Sequence, residues 1–266
     1  MGGSLQLDGI SVVFGGRTRA LDGLSLRIEP GEQVGFVGPS GAGKTTLLRL
    51  LSATQRPTAG AVRLDSEDLA GLGQRQLREA RRRIGTIHQD LSLVPNLRVL
   101  HNVLAGKLGG RSILGSARLM FFPPRREVER VHEVLETVGI ADKLYERTDR
   151  LSGGQRQRVA VARALFQEPS ILLADEPVSS VDPARARETV ELLVRISRRA
   201  GLTLCVSLHN LELAREFLPR LVGLRDGSAV FDRPTARLAD EDFHALYELQ
   251  PREAPHAESI PPFPAV

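Results

Sequence analysis

The chain has 266 residues, 41% of them apolar, which is enough for a sizeable core, and its one cysteine, Cys205, excludes an intrachain disulfide framework. Its 36 basic and 32 acidic residues give a formal charge of +4, a balance too even to indicate a nucleic-acid-binding face. No secretory signal and no run near the ~20 apolar residues of a membrane span is visible, so we expect a cytoplasmic chain that reaches a membrane only through a partner.

The N-terminal third of the chain combines strand patterns with a glycine-rich loop. Short alternating or apolar runs predict strands within residues 4–14 and 24–37, and apolar positions at helical spacing predict a helix over 44–53. A strand at 60–65 follows the turn sequence RPTAG, and residues 74–83 form the pattern of a basic amphipathic helix.

The middle of the chain changes in character from about residue 90 to 158. Strand signals become few, and helical patterns appear at 95–107 and 126–139. The segment between them contains glycine, serine and proline and is predicted to be a connection. We interpret the whole stretch as a helical insertion.

Strands and helices alternate again in the last third of the chain. The apolar runs predict strands at 170–174, 203–207 and 220–224, separated by helices at 183–200 and 210–217. This alternation is typical of a parallel α/β sheet. The proline-rich end, 250–266, is expected to be a mobile tail.

A phosphate-binding loop is predicted between the strand QVGFV and the helix that follows it. The pattern G-x-x-x-x-G-K-[ST] is matched by Gly38, Pro39, Ser40, Gly41, Ala42, Gly43, Lys44, Thr45 and Thr46. Glycines let backbone N–H groups approach phosphate oxygens, and the helix N-terminus adds partial positive charge. We expect Lys44 to reach the β- and γ-phosphates of ATP and the Thr45 hydroxyl to bind Mg²⁺. A chance glycine-rich turn is the alternative, and the flanking strand and helix disfavour it.

A second set of candidate residues ends the predicted strand at 170–174. Asp175 and Glu176 follow the apolar run ILLA, and the carboxyl end of a parallel strand is where ligands bind in such sheets. Asp175 can hold Mg²⁺, and Glu176 can polarise a water molecule for attack on the γ-phosphate. Ordinary solvated acids are the alternative, which the upstream phosphate loop makes less attractive.

The segment Leu151, Ser152, Gly153, Gly154 and Gln155 stands between these two motifs, with Ser152 placed as a helix N-cap. In that order the motifs resemble the ABC ATPase family, and the resemblance covers roughly residues 4–235. It implies an α/β P-loop NTPase core with a mostly parallel sheet, an N-terminal antiparallel β portion and a helical insertion subdomain. The corresponding divisions are 1–89 and 159–235 for the two parts of the ATP-binding core, 90–158 for the insertion, and 236–266 for a C-terminal helix and proline-rich tail.

The resemblance assigns further roles by motif. Phe14 resembles the aromatic residue that stacks on adenine, although a core phenylalanine is an open alternative. Gln89 resembles the glutamine that senses Mg²⁺ and the attacking water, and His209 resembles the histidine that contacts the γ-phosphate. The D-loop is matched by Ser179, Ser180, Val181 and Asp182, where Val181 departs from the usual leucine. Ser152, Gly153, Gly154 and Gln155 are implied to bind ATP across a dimer.

The family resemblance implies partners as well as a site. A head-to-tail homodimer of cassettes would close the phosphate loop of one chain and the signature segment (residues 151–155) of the other on one ATP. Free-standing cassettes of this kind are typical of importers, which implies membrane permease subunits, an indirect link to a substrate-binding protein, and a peripheral place on the cytoplasmic face of the inner membrane.

A narrower resemblance points to phosphonate importers. It is carried by RRIGTIHQDLSLVPNLRVLHNVLAGKLG, by LADEPVSSVDPARARE and by VSLHNLELAREFLPRLVGLRDG. An importer of another solute and a scaffold beside phosphonate-cleaving enzymes are alternatives, whereas the signature segment argues against a small-molecule kinase. Apolar residues of the insertion form either a docking groove for a permease helix or the insertion's own core, and they are Leu97, Val99, Leu100, Val103, Leu104, Leu119, Met120, Phe121 and Phe122.

Overall fold

The computed structural model describes residues 2–178 and 182–247. The strands are β1 (Leu5–Phe14), β2 (Thr18–Ile28), β3 (Gln33–Val37), β4 (Ala59–Leu64), β5 (Glu67–Asp68), β6 (Ile84–Ile87), β7 (Ile171–Asp175), β8 (Thr203–Leu208), β9 (Arg220–Arg225) and β10 (Ser228–Pro234). The α-helices are α1 (Lys44–Leu51), α2 (Gln74–Arg82), α3 (Val99–Leu104), α4 (Ile113–Phe121), α5 (Arg125–Thr137), α6 (Gly153–Phe166), α7 (Pro183–Ala200), α8 (Leu211–Phe217) and α9 (Asp240–Tyr247). The predicted tail at 250–266 lies outside the described residues.

The strands form two sheets. The first has the order β2-β1-β4-β5 and is antiparallel throughout. The second has the order β10-β9-β3-β8-β7-β6, in which all pairs are parallel except β9 with β10. The predicted fold class, an α/β core with a mostly parallel sheet and an N-terminal antiparallel portion, is therefore confirmed.

Burial explains which strands the sequence pattern revealed. All five residues of β3 are buried, as expected for a central parallel strand, whereas β1 alternates between buried and more exposed positions. β10 buries only Phe231 of its seven residues, so it lacks an apolar pattern and was not predicted. β6 was also missed, because four residues are too few for a clear period.

The helical insertion differs from its prediction in two places. The segment predicted as a connection contains α4, which begins where the Ser112 hydroxyl accepts a hydrogen bond from the Gly115 N–H and ends before Pro123 and Pro124. The helix predicted at 95–107 is shorter, since α3 covers only Val99–Leu104 and a 3₁₀ turn, Ala105–Gly110, follows it. The Asn102 side chain exchanges hydrogen bonds with the Val94 backbone and holds the preceding segment as a loop.

Most apolar residues of the insertion form its own core. Val99, Leu100, Val103, Leu104 and Leu119 are buried in a cluster that also contains residues of α5 and α6. Phe121 and Phe122 are instead exposed to solvent. The prediction that these residues form the insertion's own core is therefore correct for the five buried residues and wrong for Phe121 and Phe122. In the described ranges, no helix is long and apolar enough to cross a membrane.

Candidate nucleotide site

The phosphate loop (residues 38–46) joins the carboxyl end of β3 to α1. Gly43 has φ 101°, and a Cβ there would lie 2.5 Å from the Ala20 carbonyl oxygen. Gly38 also has positive φ, at 150°, and a Cβ there would overlap the Leu224 carbonyl oxygen. Both positions therefore require glycine, for backbone conformation and for space. Because these two glycines lack a side chain, the loop packs closely against strands β2 and β9. Its N–H groups lie near the start of α1.

Lys44 is the buried cation of the site. Only 4% of it is exposed, and its Nζ donates to the carbonyl oxygens of Gly38 at 2.7 Å and Pro39 at 3.0 Å. Burial lowers the pKa of Lys44, and the charges of Glu176 and Asp175 partly oppose that effect. An ammonium group held by neutral carbonyls is well suited to exchange them for an anionic oxygen.

Asp175 ends β7 and meets α1 across the site. Its Oδ1 accepts hydrogen bonds from the hydroxyls of Ser207, at 2.8 Å, and Thr45, at 3.3 Å. Thr45 and Asp175, together with Gln89, line a cavity of about 660 Å³. The structure thus brings together the three residues predicted to surround Mg²⁺.

The chemistry of these donors fits Mg²⁺. A hydroxyl, a carboxylate and an amide are hard oxygen ligands, and Mg²⁺ is usually held by one or two protein groups together with substrate phosphates and water. Within the described residues, no group of three or more His, Cys, Asp or Glu side chains could hold a metal ion. These donors therefore suit an Mg²⁺ ion whose other ligands come from nucleotide phosphates and water.

Glu176 and His209 meet beside Lys44. The Glu176 carboxylate contacts the His209 Nε2, and the Nδ1 of the same ring lies 3.5 Å from the Lys44 Nζ. Glu176 has φ 45°, a left-handed conformation that is unusual for a residue other than glycine, and its N–H donates to the Ser207 hydroxyl at 2.8 Å. The turn after β7 is therefore held in a strained conformation, which directs the Glu176 carboxylate towards His209.

Phe14 lies apart from this cluster, at the end of β1. It is 45% exposed, which excludes the alternative that it is a core phenylalanine. The Phe14 carbonyl accepts a hydrogen bond from the Arg17 N–H in the turn that leads to β2. Ala20 of β2 lies against Gly43 of the phosphate loop. Across the described residues, no hydrogen bond or ring contact joins Phe14 to the loop, so its role stays a prediction.

The signature segment lies at the start of α6. Ser152 and Gln155 form a reciprocal capping box, in which the Ser152 Oγ accepts from the Gln155 N–H at 3.3 Å and the Gln155 Oε1 accepts from the Ser152 N–H at 2.9 Å. The predicted N-cap is thus confirmed. A Cβ on Gly153 or Gly154 would meet open space, so this backbone is accessible. Within the described part of the chain, no hydrogen bond or ion pair joins the segment to the phosphate loop.

Of the residues assigned to the D-loop, 179–181 lie outside the described residues. Asp182 is described: its carboxylate accepts from the Arg185 N–H at 3.1 Å and caps α7, with Pro183 in the first turn.

Two residues of the site were not predicted from the sequence. Ser207 bonds both Asp175 and the Glu176 N–H, and its signal was a hydroxyl within the fully buried strand TLCVSL. Gln157 is buried on α6 and donates to the Pro177 carbonyl, so the helix that carries the signature is tied to the turn after Glu176. Its signal was a glutamine on the otherwise apolar buried face of the helix.

Comparison with known proteins places the chain among ATP-binding cassettes. The profile of the ABC transporter family matches residues 21–179. A protein of Anaeromyxobacter dehalogenans, named phosphonates import ATP-binding protein PhnC, is 47% identical over 261 residues, which are 96% of the chain and 51% of that protein. The chain thus spans about half the length of that relative. A protein of the same name from Alcaligenes faecalis is 42% identical, with 92% of the chain and 87% of the relative covered.

Solved structures agree with this placement. The dimeric bacterial ABC transporter cassette MJ0796 is 30% identical, with a TM-score of 0.75 over 87% of the chain and 98% of the cassette. A second dimeric structure of that cassette, in a post-hydrolysis state bound to ADP and Pi, has a TM-score of 0.73 at the same identity and coverage.

Proposed function

Because the chain belongs to the ABC transporter family and is an ATPase of that family, we propose that it is the ATP-hydrolysing subunit of an importer that takes up a small solute, a phosphonate or a related phosphorus oxyanion. The observation that carries the catalytic part is the meeting of Lys44, Asp175, Glu176 and His209 at one edge of the parallel sheet.

In this proposal each residue has a separate task. The N–H groups of the phosphate loop and the Lys44 ammonium bind the β- and γ-phosphates, which carry the developing charge. Glu176 accepts a proton from the attacking water, and His209, already in contact with Glu176 and near Lys44, orients the γ-phosphate side of the site. Phe14, exposed at the end of β1, stacks on the adenine ring.

Mg²⁺ would be held by the Thr45 hydroxyl and the Asp175 carboxylate, with Gln89 facing the same cavity. When bound, it would neutralise phosphate charge. The existing Thr45–Asp175 hydrogen bond supports this assignment, because it places the two oxygens side by side.

The signature segment takes part through a second copy of the chain. Its capped and accessible helix N-terminus is an anion-binding arrangement, yet among the described residues no hydrogen bond or ion pair joins it to the phosphate loop of the same chain. A head-to-tail homodimer would place it on the partner's ATP. The dimeric cassettes of related fold support this arrangement.

The importer and its cargo rest on the relatives, which are named as phosphonate import proteins. In the proposed complex, two cassettes lie on the cytoplasmic face of the inner membrane and bind integral membrane permease subunits. A substrate-binding protein delivers the solute to the permease. ATP would close the cassette dimer and hydrolysis would reset it, which requires that ATP bind the closed state more tightly.

The test is ATPase activity of the complete complex in vesicles, measured with the binding protein empty and loaded. The proposal expects stimulation by binding protein loaded with a phosphonate, and little by the same protein offered sulfate. No stimulation by any loaded binding protein would contradict the importer and favour a scaffold, whereas stimulation by another solute alone would contradict only the phosphonate cargo.

A further inference from the structure

Helix α4 turns an apolar face to solvent. Ile113, Leu114, Phe121 and Phe122 are 89%, 83%, 77% and 79% exposed. Ile113, Ala117 and Phe121 are spaced by four residues, so they share one side of the helix, while Leu119 on the other side is buried in the insertion core. We name the outward set, Ile113, Leu114, Ala117, Phe121 and Phe122, the α4 face.

This concentration of apolar surface is unusual within the described part of the chain. Every large apolar side chain there that is more than 70% exposed belongs to the α4 face. Single exposed apolar residues are normal on protein surfaces, but a contiguous set marks a contact with a protein or a membrane.

The sequence that contains the α4 face is basic. Residues 91–126 contain no aspartate or glutamate, and their basic residues are Arg98, Lys107, Arg111, Arg118, Arg125 and Arg126. Arg111 pairs with Glu127 and Arg125 with Glu129, whereas no carboxylate of the described residues lies within salt-bridge distance of Arg118 or Arg126. Unneutralised arginines thus flank exposed phenylalanines.

We propose that the α4 face rests on an anionic phospholipid surface, with its apolar side chains at the boundary between headgroups and acyl chains and with Arg118 and Arg126 at the phosphates. Basic residues beside an exposed apolar helix face are the pattern of interfacial helices. The helix has nine residues, so it is too short to span the bilayer and would lie in its plane.

Charge complementarity selects lipid over a permease loop as the occupant. Cytoplasmic loops of membrane proteins carry an excess of lysine and arginine, which would repel the basic surroundings of the α4 face. The cytoplasmic leaflet is anionic and attracts them. The inference goes beyond the proposed function and does not depend on the ATP site, so its failure would leave the ATPase and importer proposals standing.

The experiment is co-flotation of the 266-residue chain with vesicles that contain phosphatidylglycerol, compared with vesicles of phosphatidylcholine alone. We expect binding only to the anionic vesicles. Changing both Phe121→Ser and Phe122→Ser should lower the partition coefficient at least about tenfold. Arg118→Gln and Arg126→Gln should each lower it about fivefold at low salt, with a weaker effect at high salt. Val230→Ser, an exposed apolar position on β10, is the matched control and should change nothing.

Each result has a clear meaning, provided that every variant keeps its ATP affinity and melting temperature, which shows that it is folded. Absence of binding to anionic vesicles, or equal binding by the double phenylalanine variant, overturns the proposal. The proposal is also overturned if the double phenylalanine variant floats with vesicles like the parent chain but no longer co-purifies with the permease. The α4 face would then be a protein contact.

Discussion

Ser207 is the residue that holds the two acids of the site in place. Its hydroxyl donates to the Asp175 carboxylate and accepts from the Glu176 N–H, so one side chain fixes both the end of β7 and the strained turn after it. Ser207 is itself fully buried, and its strand β8 lies between β3 and β7. The central strands of the sheet therefore set the position of the candidate catalytic carboxylate.

Replacing Ser207 by alanine should weaken the site without unfolding the protein. Asp175 would keep only the longer bond from Thr45, and we expect the Mg²⁺ dependence of ATPase activity to shift about 10- to 100-fold toward higher Mg²⁺. Ser197→Ala is the matched control, because the Ser197 Oγ is buried without a hydrogen-bond partner among the described atoms. An unchanged Mg²⁺ dependence in Ser207→Ala would show that Asp175 does not need this support.

The Glu176→Gln variant should separate binding from hydrolysis. The amide keeps the size of the side chain but cannot accept the proton of the attacking water, so we expect the ATPase rate to fall at least about 100-fold while ATP affinity is retained. The measurement is phosphate release beside nucleotide binding, with Glu188→Gln on α7 as the control. A fall of less than about tenfold would remove Glu176 from the role of general base.

Cys205 should be unreactive in the folded chain. It is fully buried on β8, and burial raises the pKa of its thiol, so the reactive thiolate is absent near neutral pH. We expect a disulfide reagent to label no thiol in buffer and one thiol per chain in denaturant. Rapid labelling in buffer would show that the central sheet opens readily.

The sequence predicted part of this site and missed the rest for a physical reason. Lys44, Thr45, Asp175 and Glu176 lie in motifs whose spacing to a strand or helix is local, and the structure brings them together. Ser207 and Gln157 act through contacts with residues 20 or more positions away in the chain, which local patterns do not reveal. The roles assigned to Phe14 and to the signature segment stay predictions.

At the scale of elements, a buried polar cluster shapes the insertion. The Asn102 side chain bonds the Val94 N–H and carbonyl and donates to the Thr148 hydroxyl, which in turn donates to the Leu97 carbonyl. These bonds connect α3, the loop before it and the turn that leads to the signature segment. They replace the extra helical turn that the apolar pattern predicted.

Asn102→Leu should therefore destabilise the chain. Val94 and Thr148 would lose their partners in a buried setting, and we expect the free energy of unfolding to fall by about 2–4 kcal/mol. Denaturant unfolding measures it. Asn96→Ala, which removes an exposed bond from Arg147, should change it by less than about 0.5 kcal/mol. Equal effects of the two substitutions would mean that the cluster adds little to stability.

The elements predicted best are those whose burial follows one simple period. The limits of α7 agree with the predicted 183–200, because its apolar residues recur along one buried face and Gly201 ends it in a left-handed conformation. α4 was missed, since its apolar residues face outward and its glycine, serines and following prolines suggested a connection. β2 begins earlier than predicted because its first residues are mostly exposed.

For the whole molecule, the proposed function divides the site between two places in one chain, and among the described residues no hydrogen bond or ion pair joins them. The phosphate loop and the acids lie at the carboxyl ends of β3 and β7, whereas the signature segment opens a helix of the insertion. Gln157 on that helix donates to the Pro177 carbonyl, so a side chain of α6 bonds directly to the turn after Glu176. Under the proposed function, a second copy of the chain completes the site.

The most direct test of this account is the mass of the Glu176→Gln variant in solution, measured by light scattering with and without saturating ATP and Mg²⁺. The account predicts twice the monomer mass with nucleotide and the monomer mass without it. Adding Lys44→Ala should keep the chain monomeric in both conditions, because ATP would no longer be held. A Glu176→Gln variant that binds ATP and stays monomeric at saturation would contradict the composite site.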